Sequence, residues 1–447
     1  MIKRYLAGIA LLTVITMSGC SAKVQETTAD TGTTPADSAP AAEAAADSGA
    51  ASDVIEIEFW HALENQYEET LNRVVGDFNS THDSIVVKPM YIGNYSALNE
   101  AIVSANAANT NLPGVAMANI PYVTGYGAGG LCEDLGPYIQ RDGFEIDDFG
   151  EGLIQAAKYE DVQVALPFLV STEVVYYNRD LMKELGLEIP KTWDEMPQFL
   201  DKASDVGADG KTNRYGMVIP GWITWYYEPF FLNNGVQMVT PEGRTDLASD
   251  NSIKLVSQLK DWCQKGYTYL ATGEDAASVM RQNFIDGKAL SIVYTSSLFD
   301  TMADSCSFDV GMEWLPGGKT KEQELGGNVL FLPAKNDQKI KDASWEFLSY
   351  LMSKEVNMIW ASESGYLPTR KSVQETEEGK AFLEKKPEFQ IIFDNLDVIT
   401  PGIQRSDWSQ ASTTWKNWMD EIIQEDLDVE SALTEMAEEI DEILGDS

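Results

Sequence analysis

The clearest pattern in the chain begins at Ile55. Ile55-Glu56-Ile57-Glu58-Phe59-Trp60 alternates apolar and polar side chains with the period of two expected of a half-buried strand. Tyr67, Leu71, Val74, Val75 and Phe78 then recur at helical spacing and predict a helix ending near Asn79. Residues 85–92 read as a second strand, 96–109 as a second helix and 114–118 as a third, buried strand. Strand, helix, strand, helix, strand predicts an α/β fold with a mostly parallel sheet and helices on both faces. Ligands of such sheets sit outside the carboxyl ends of the strands, where the loops gather.

The pattern continues through the rest of the chain. Residues 162–166 run into Pro167-Phe168, and 172–177 form an extended stretch ending in Tyr176-Tyr177-Asn178. A helix begins near Leu181. Another opens at Pro190-Lys191-Thr192-Trp193-Asp194-Glu195, with Thr192 as N-cap and Glu195 as its capping-box partner. Residues 253–263 predict an amphipathic helix, and 289–294 and 329–332 predict strands. Beyond these the chain is largely helical, and no internal repeat is present.

Residues 1–53 follow a different pattern. Lys3 and Arg4 precede a short apolar run over residues 5–16, too short for a stable bilayer span, which needs about 20 residues. The run ends in Met17-Ser18-Gly19-Cys20, small residues before a cysteine, which resembles the bacterial lipobox and implies diacylation of Cys20. An ordinary secretory cleavage site is the plainer alternative. Residues 21–53 are mostly Ala, Thr, Ser, Gly, Pro and acids, without one aromatic, a composition expected of a flexible tether.

Composition narrows the possibilities for residues 54–447. That length exceeds one core and predicts two lobes. The net charge of −39 argues against nucleic acid and against an anionic membrane surface as partners. After Cys20, only Cys132, Cys263 and Cys306 remain, widely spaced and without a CxxC, so a metal site is not expected and buried free thiols are. His61 and His82 are the two histidines, which removes HExxH and leaves few bases for a nucleophile triad. No GxxxxGK[ST] occurs, and no cofactor is expected. Eleven Trp and eighteen Tyr suit a protein that packs rings against sugars as well as one with an aromatic core.

Several short pieces together resemble a known family: Phe59-Trp60-His61, Gly93-Asn94-Tyr95, Pro167-Phe168 with Tyr176-Tyr177-Asn178, Lys191-Thr192-Trp193, Gly326-Gly327 and Gly365-Tyr366-Leu367-Pro368. Their order resembles that of the extracellular solute-binding proteins of ABC importers that include maltose-binding protein. The branch binding glycerol 3-phosphate and its diesters is the most similar. The resemblance implies a type II periplasmic-binding-protein fold, two α/β lobes joined by a hinge around a ligand cleft. On this reading the lobes are 54–168 with 290–332, and 169–289 with 333–447. It implies a monomeric, extracytoplasmic receptor, held to the membrane only through its lipid, that hands a small solute to the transmembrane permease subunits.

Carried over residue by residue, the resemblance implies Tyr95, Ser171, Ser297, Gly327 and Tyr366 as ligand contacts, with the register around Ser297 uncertain by one position. Where the glycerol-phosphate branch has a carboxylate after its third strand, this chain has Ile120. The phosphate-facing arginine of that branch falls on Gln404, with Arg405 one place later, so Arg405 is either a cleft cation or a surface side chain. Trp60, Trp222 and Trp225 are candidates for packing on an apolar ligand face, and His61 for donating a hydrogen bond. Each also fits an ordinary core or loop role. No catalytic residue is expected. The rival reading, a secreted glycoside hydrolase, needs only two carboxylates about 5–10 Å apart, and a neutral oligosaccharide is the chief rival ligand.

Overall fold

The computed structural model describes residues 54–425 and 427–445. Cys20 and the tether lie outside the described residues. The first sheet is built from β1 (Ile55–His61), β2 (Ile85–Tyr91), β3 (Val115–Asn119), β4 (Leu166–Ser171) and β11 (Gly326–Phe331), in the order β2-β1-β3-β11-β4. Its first three strands are parallel, as the strand–helix alternation predicts. The returning strand β11 runs antiparallel to both β3 and β4, so the sheet is mixed. Phe59 in β1, Phe78 in the Gln66–Thr81 helix and Phe347 in the Gln338–Leu351 helix meet edge to face, their ring centroids 5.1–5.7 Å apart.

The second sheet contains β5 (Glu173–Asn178), β6 (Asp205–Val206), β7 (Thr212–Pro220), β8 (Leu270–Ala271), β9 (Ala289–Thr295) and β10 (Val310–Glu313). The order is β8-β7-β9-β5-β10, with β6 paired to β7. The predicted Thr192–Glu195 box is present: the Glu195 carboxylate accepts from the Thr192 N–H, heading a short 3-10 turn and the Met196–Ala203 helix. Cys132, Cys263 and Cys306 are free and partly buried, and burial pushes the Cys306 thiol up to about 11.

The lobe boundaries differ from those expected. Residues 290–332 are expected in the first lobe, and Gly326–Phe331 does lie there as β11, yet β9 and β10 both pair with β5 in the second sheet, Ile292 opposite Tyr176 and Met312 on its other side. Residues after 332 were assigned to the second lobe, yet Gln338–Leu351 packs on β1 and Lys354–Ser364 lies against the first helix, where Arg73 pairs with Glu363. The last two helices, Trp408–Gln424 and Val429–Gly445, join the second lobe by packing on Asp250–Gln264, and Pro387–Phe389 lies against β10 of that lobe. An apolar strand such as 289–295 carries no local mark of which sheet it will enter, and the pairing partners decide it.

His61 is a core residue of the first lobe. It is 1% exposed, its Nδ1 accepts from the Leu63 N–H at 3.2 Å, and its ring lies between Phe59 and Tyr91. Burial lowers its pKa from 6.5 to about 4. The unfolded chain therefore binds a proton below pH 6.5 that the folded chain refuses until about pH 4, so His61 costs stability as pH falls through that window. Against His61→Asn, which keeps an acceptor for Leu63, the parent should lose about 3 kcal/mol of relative stability between pH 6.5 and 4, read by chemical denaturation. A pH-independent difference would show that the imidazole already titrates normally in the fold.

Candidate ligand-binding cleft

The chain passes between the sheets at a short junction. Ser171-Thr172-Glu173 leaves the first lobe beside Glu324-Leu325-Gly326, which returns to it, and Gly326 pairs with Ser171. The Thr172 hydroxyl donates to the Glu324 carbonyl at 3.0 Å, and the Glu324 N–H donates to the Glu173 carboxylate at 3.2 Å. A third crossing, Ile399–Thr400, pairs in parallel with Gln323–Glu324.

A cavity of about 440 Å³ opens on this junction. The first lobe contributes Asn119, Ile120 and Pro121 from the carboxyl end of β3, together with Ser171 and Gly327. The second contributes residues 223–226, Glu228 and Thr295, and the third crossing leads into Gln404, Arg405, Trp408, Ser409 and Ser412. Hydroxyls and amides thus share one space with the side chains of Trp225 and Trp408. A larger depression of about 660 Å³ lies at the Gln338–Leu351 helix, away from the junction, and Arg141 on its rim is already paired with Asp142 and Asp342.

Of the residues expected at a ligand site, Ser171, Gly327, Trp225 and Arg405 line this cavity. Arg405 is not a free cation: its Nε donates to Asp407 at 2.9 Å and an Nη to the Leu444 carbonyl at 3.2 Å. Tyr95 and Tyr366 sit one step behind the lining. Tyr366 donates to the Tyr95 hydroxyl, which also accepts from Asn328 Nδ2 at 3.0 Å, next to Gly327. Burial raises both phenol pKa values. The Tyr366 turn is tied to β4, because Leu367 N–H donates to the Val170 carbonyl at 2.9 Å. Ser297 meets that same turn across the lobes: a Cβ on Gly365 would lie 2.6 Å from the Ser297 carbonyl oxygen. Its hydroxyl is 3.0 Å from that of the cavity-lining Thr295.

The remaining candidates are not brought to the cavity. His61 is in the core, as described. Trp60 points its Nε1 at Glu58 along its own strand, 2.8 Å away. Trp222 packs edge-on against Tyr226 and Tyr294, behind the wall. Sequence reading missed Glu228, Glu324 and Trp408. Among 71 acids nothing local distinguishes two that will be buried together, whereas the Trp408 to Trp415 spacing reads simply as a helix face.

Those acids dominate the electrostatics of the junction. Glu173, Glu228 and Glu324 are 0%, 2% and 5% exposed. Burial pushes all three carboxyls up, Glu173 and Glu324 well above their ordinary range, and at those two the neighbouring glutamate charges add to it.

The profile of the bacterial extracellular solute-binding proteins matches residues 73–390. The chain belongs to this family. The sn-glycerol-3-phosphate-binding periplasmic protein UgpB of Pectobacterium atrosepticum is 24% identical over 353 residues, 74% of this chain and 77% of that protein. UgpB of Escherichia coli (strain K12) is 24% identical over 359 residues, 76% and 80% of the two chains. Among solved structures, UgpB from Mycobacterium tuberculosis in complex with glycerophosphocholine is similar at a TM-score of 0.75 and 20% identity, covering 88% of this chain and 98% of that one. The sugar-binding protein MalE from Xanthomonas citri reaches 0.77 at 20% identity with the same coverage. The fold of this solute-binding protein is the two-lobe, type II periplasmic-binding fold.

Two measurements check the junction. Gly327 has φ +104°, and a Cβ there would lie 2.2 Å from the Leu169 carbonyl oxygen. Gly327→Ala should therefore lose about 3 kcal/mol or more in chemical denaturation; a loss below about 1 kcal/mol would mean the backbone relaxes freely. The three raised carboxyls bind protons in the fold that the unfolded chain releases near pH 4.5. Their contribution to stability is full below pH 4.5 and is lost as pH rises through their folded values. Glu324→Gln should accordingly melt higher than the parent at pH 7.5 and flatten that decline. A lower melting temperature would show that the carboxylate form is stabilised in place.

Proposed function

We propose that this solute-binding protein is the extracytoplasmic, lipid-anchored receptor of an ABC importer. It captures a small carbohydrate-type solute, a sugar or a glycerol phosphate ester, between its lobes and presents it to the permease subunits. The observation that carries this reading is the junction cavity, of the size that holds one small ligand, in which tryptophan side chains share one space with hydroxyl or amide groups from both lobes. Rings suit the C–H face of a sugar or polyol, and the polar groups suit its hydroxyls. The glycerol-phosphate and sugar ligands named for the relatives point the same way. Closing two lobes on a solute stabilises the closed state, which a permease can read. No covalent step is required, and a monomer suffices.

The membrane attachment rests on Met17-Ser18-Gly19-Cys20. Cys20→Ala should move the protein from the membrane fraction to the medium or periplasm, and retention of the variant on membranes would overturn the lipid anchor.

For the solute, a thermal-shift panel of sugars, polyols, glycerol 3-phosphate and its diesters should find one ligand with a Kd of about 1 μM or tighter, near −8 kcal/mol. A panel without a single stabilising compound would count against the reading. A phosphate ester is the second reading, and the observation behind it is Arg405 in the wall, which would have to leave Asp407 to serve it. If Arg405 swings from Asp407 to a phosphate, Arg405→Gln should weaken glycerol 3-phosphate about tenfold or more and leave a neutral sugar unchanged. Equal affinities in parent and variant would exclude an anion site there.

A further inference from the structure

One corner of the cleft holds polar groups that the fold does not use. Glu228 opens the Glu228–Asn233 helix and Glu324 lies on the returning crossing, and both line the cavity while almost wholly buried. Glu228 accepts from the Thr224 hydroxyl. The two carboxyls are within hydrogen-bond reach of each other and burial pushes both up, which favours a proton between them. Two carboxyls offer four oxygens, and Thr224 plus one shared proton fill only part of that capacity. No protein donor reaches Glu324 Oε1. Beside them the Trp225 indole N–H is buried and meets no acceptor. Trp225 lines the same cavity and packs over Gly326, two residues on from Glu324: its Cε2, which carries Nε1, is 3.3 Å from where a Cβ of Gly326 would be.

The corner therefore has acceptors in excess and one donor without a partner. An ionised phosphate oxygen only accepts, and it would face two carboxyls with no compensating cation, because Arg405 is held by Asp407. An ammonium group only donates and leaves the indole N–H unmet. A hydroxyl does both, accepting from Trp225 and donating to the carboxyl pair. We propose that Glu228, Glu324 and Trp225 clasp one hydroxyl of an uncharged solute, and that this clasp makes the cleft select a neutral sugar or polyol over a phosphate ester. The assignment rests on the carbohydrate-type function proposed above. It adds which member of that class is taken and which residues choose it.

The test is calorimetry on the intact chain with neutral mono- and disaccharides, polyols and glycerol 3-phosphate, each in two buffers of different ionisation enthalpy. The clasp predicts that a neutral solute binds most tightly, with the same heat in both buffers, because no proton is taken up or released. Glu324→Gln keeps a carbonyl acceptor and puts an amide N–H where the shared proton was, so it should stay within about threefold of the parent. Glu324→Leu should bind about tenfold or more weakly. Should the leucine variant fail to fold, Trp225→Phe keeps a ring, removes the N–H and should show a similar loss. Normal affinity in both of the last two variants overturns the clasp, as does a preference for glycerol 3-phosphate accompanied by proton uptake. In those cases solute binding itself still stands. No heat with any solute overturns the proposed function, and the clasp with it.

Discussion

The constraint on which the rest depends is the junction where residues 171–173 and 324–326 run side by side between the sheets. Gly326 pairs with Ser171, and the Thr172 hydroxyl locks one crossing to the Glu324 carbonyl of the other. The two crossings therefore move together and give the lobes a narrow common hinge. Everything that lines the cavity is measured from it. Ser171 and Gly327 lie within a residue of the crossings, Thr295 ends the strand paired with Glu173, and the third crossing carries the chain on to Arg405 and Trp408. Backbone fit enforces the geometry, since at Gly327 even a methyl group would collide with the Leu169 carbonyl.

The same junction buries three carboxyls, with no salt bridge to any of them among the described residues. Ionised, they would repel one another in a low-dielectric site, so burial pushes each carboxyl up, and hydrogen bonds from Thr172, Thr224 and the Glu324 N–H hold them in place. Such a group costs stability at neutral pH, which apolar side chains of similar size would not. Glu228 and Glu324 lie on the cavity wall, and under the proposed clasp that cost has a use: the pair offers acceptors to an uncharged solute. Arg405, with its charge answered by Asp407, fits the same balance.

Much of the fold was legible because it is locally encoded. The β1 alternation, the Tyr67 to Phe78 helical spacing and the Thr192–Glu195 cap each appear where their residues predict. What was not legible is non-local. Nothing within 289–295 says that it pairs with β5 and β7 rather than with the first sheet, and nothing in the Trp345 helix says that it returns to β1. The site divides likewise. Positions tied to backbone form, such as Gly327 and the Gly365-Tyr366 turn, stand out in a sequence. Glu228 and Glu324 do not, because their character comes from meeting each other across 96 residues of chain. His61 and Trp60 illustrate the opposite error: polar and aromatic residues at a strand end look like ligand contacts, yet one is packed into the core and the other is satisfied by its neighbour Glu58.

The central claim is that a solute is held between two lobes that close about this hinge. Small-angle scattering of the protein, with and without a saturating solute identified in the binding panel, tests it most directly. The account predicts a smaller radius of gyration and a shorter maximum dimension in the bound state, as both lobes engage the same ligand. A solute that binds at saturation and leaves the scattering curve unchanged would contradict it, and would place the binding on one lobe alone.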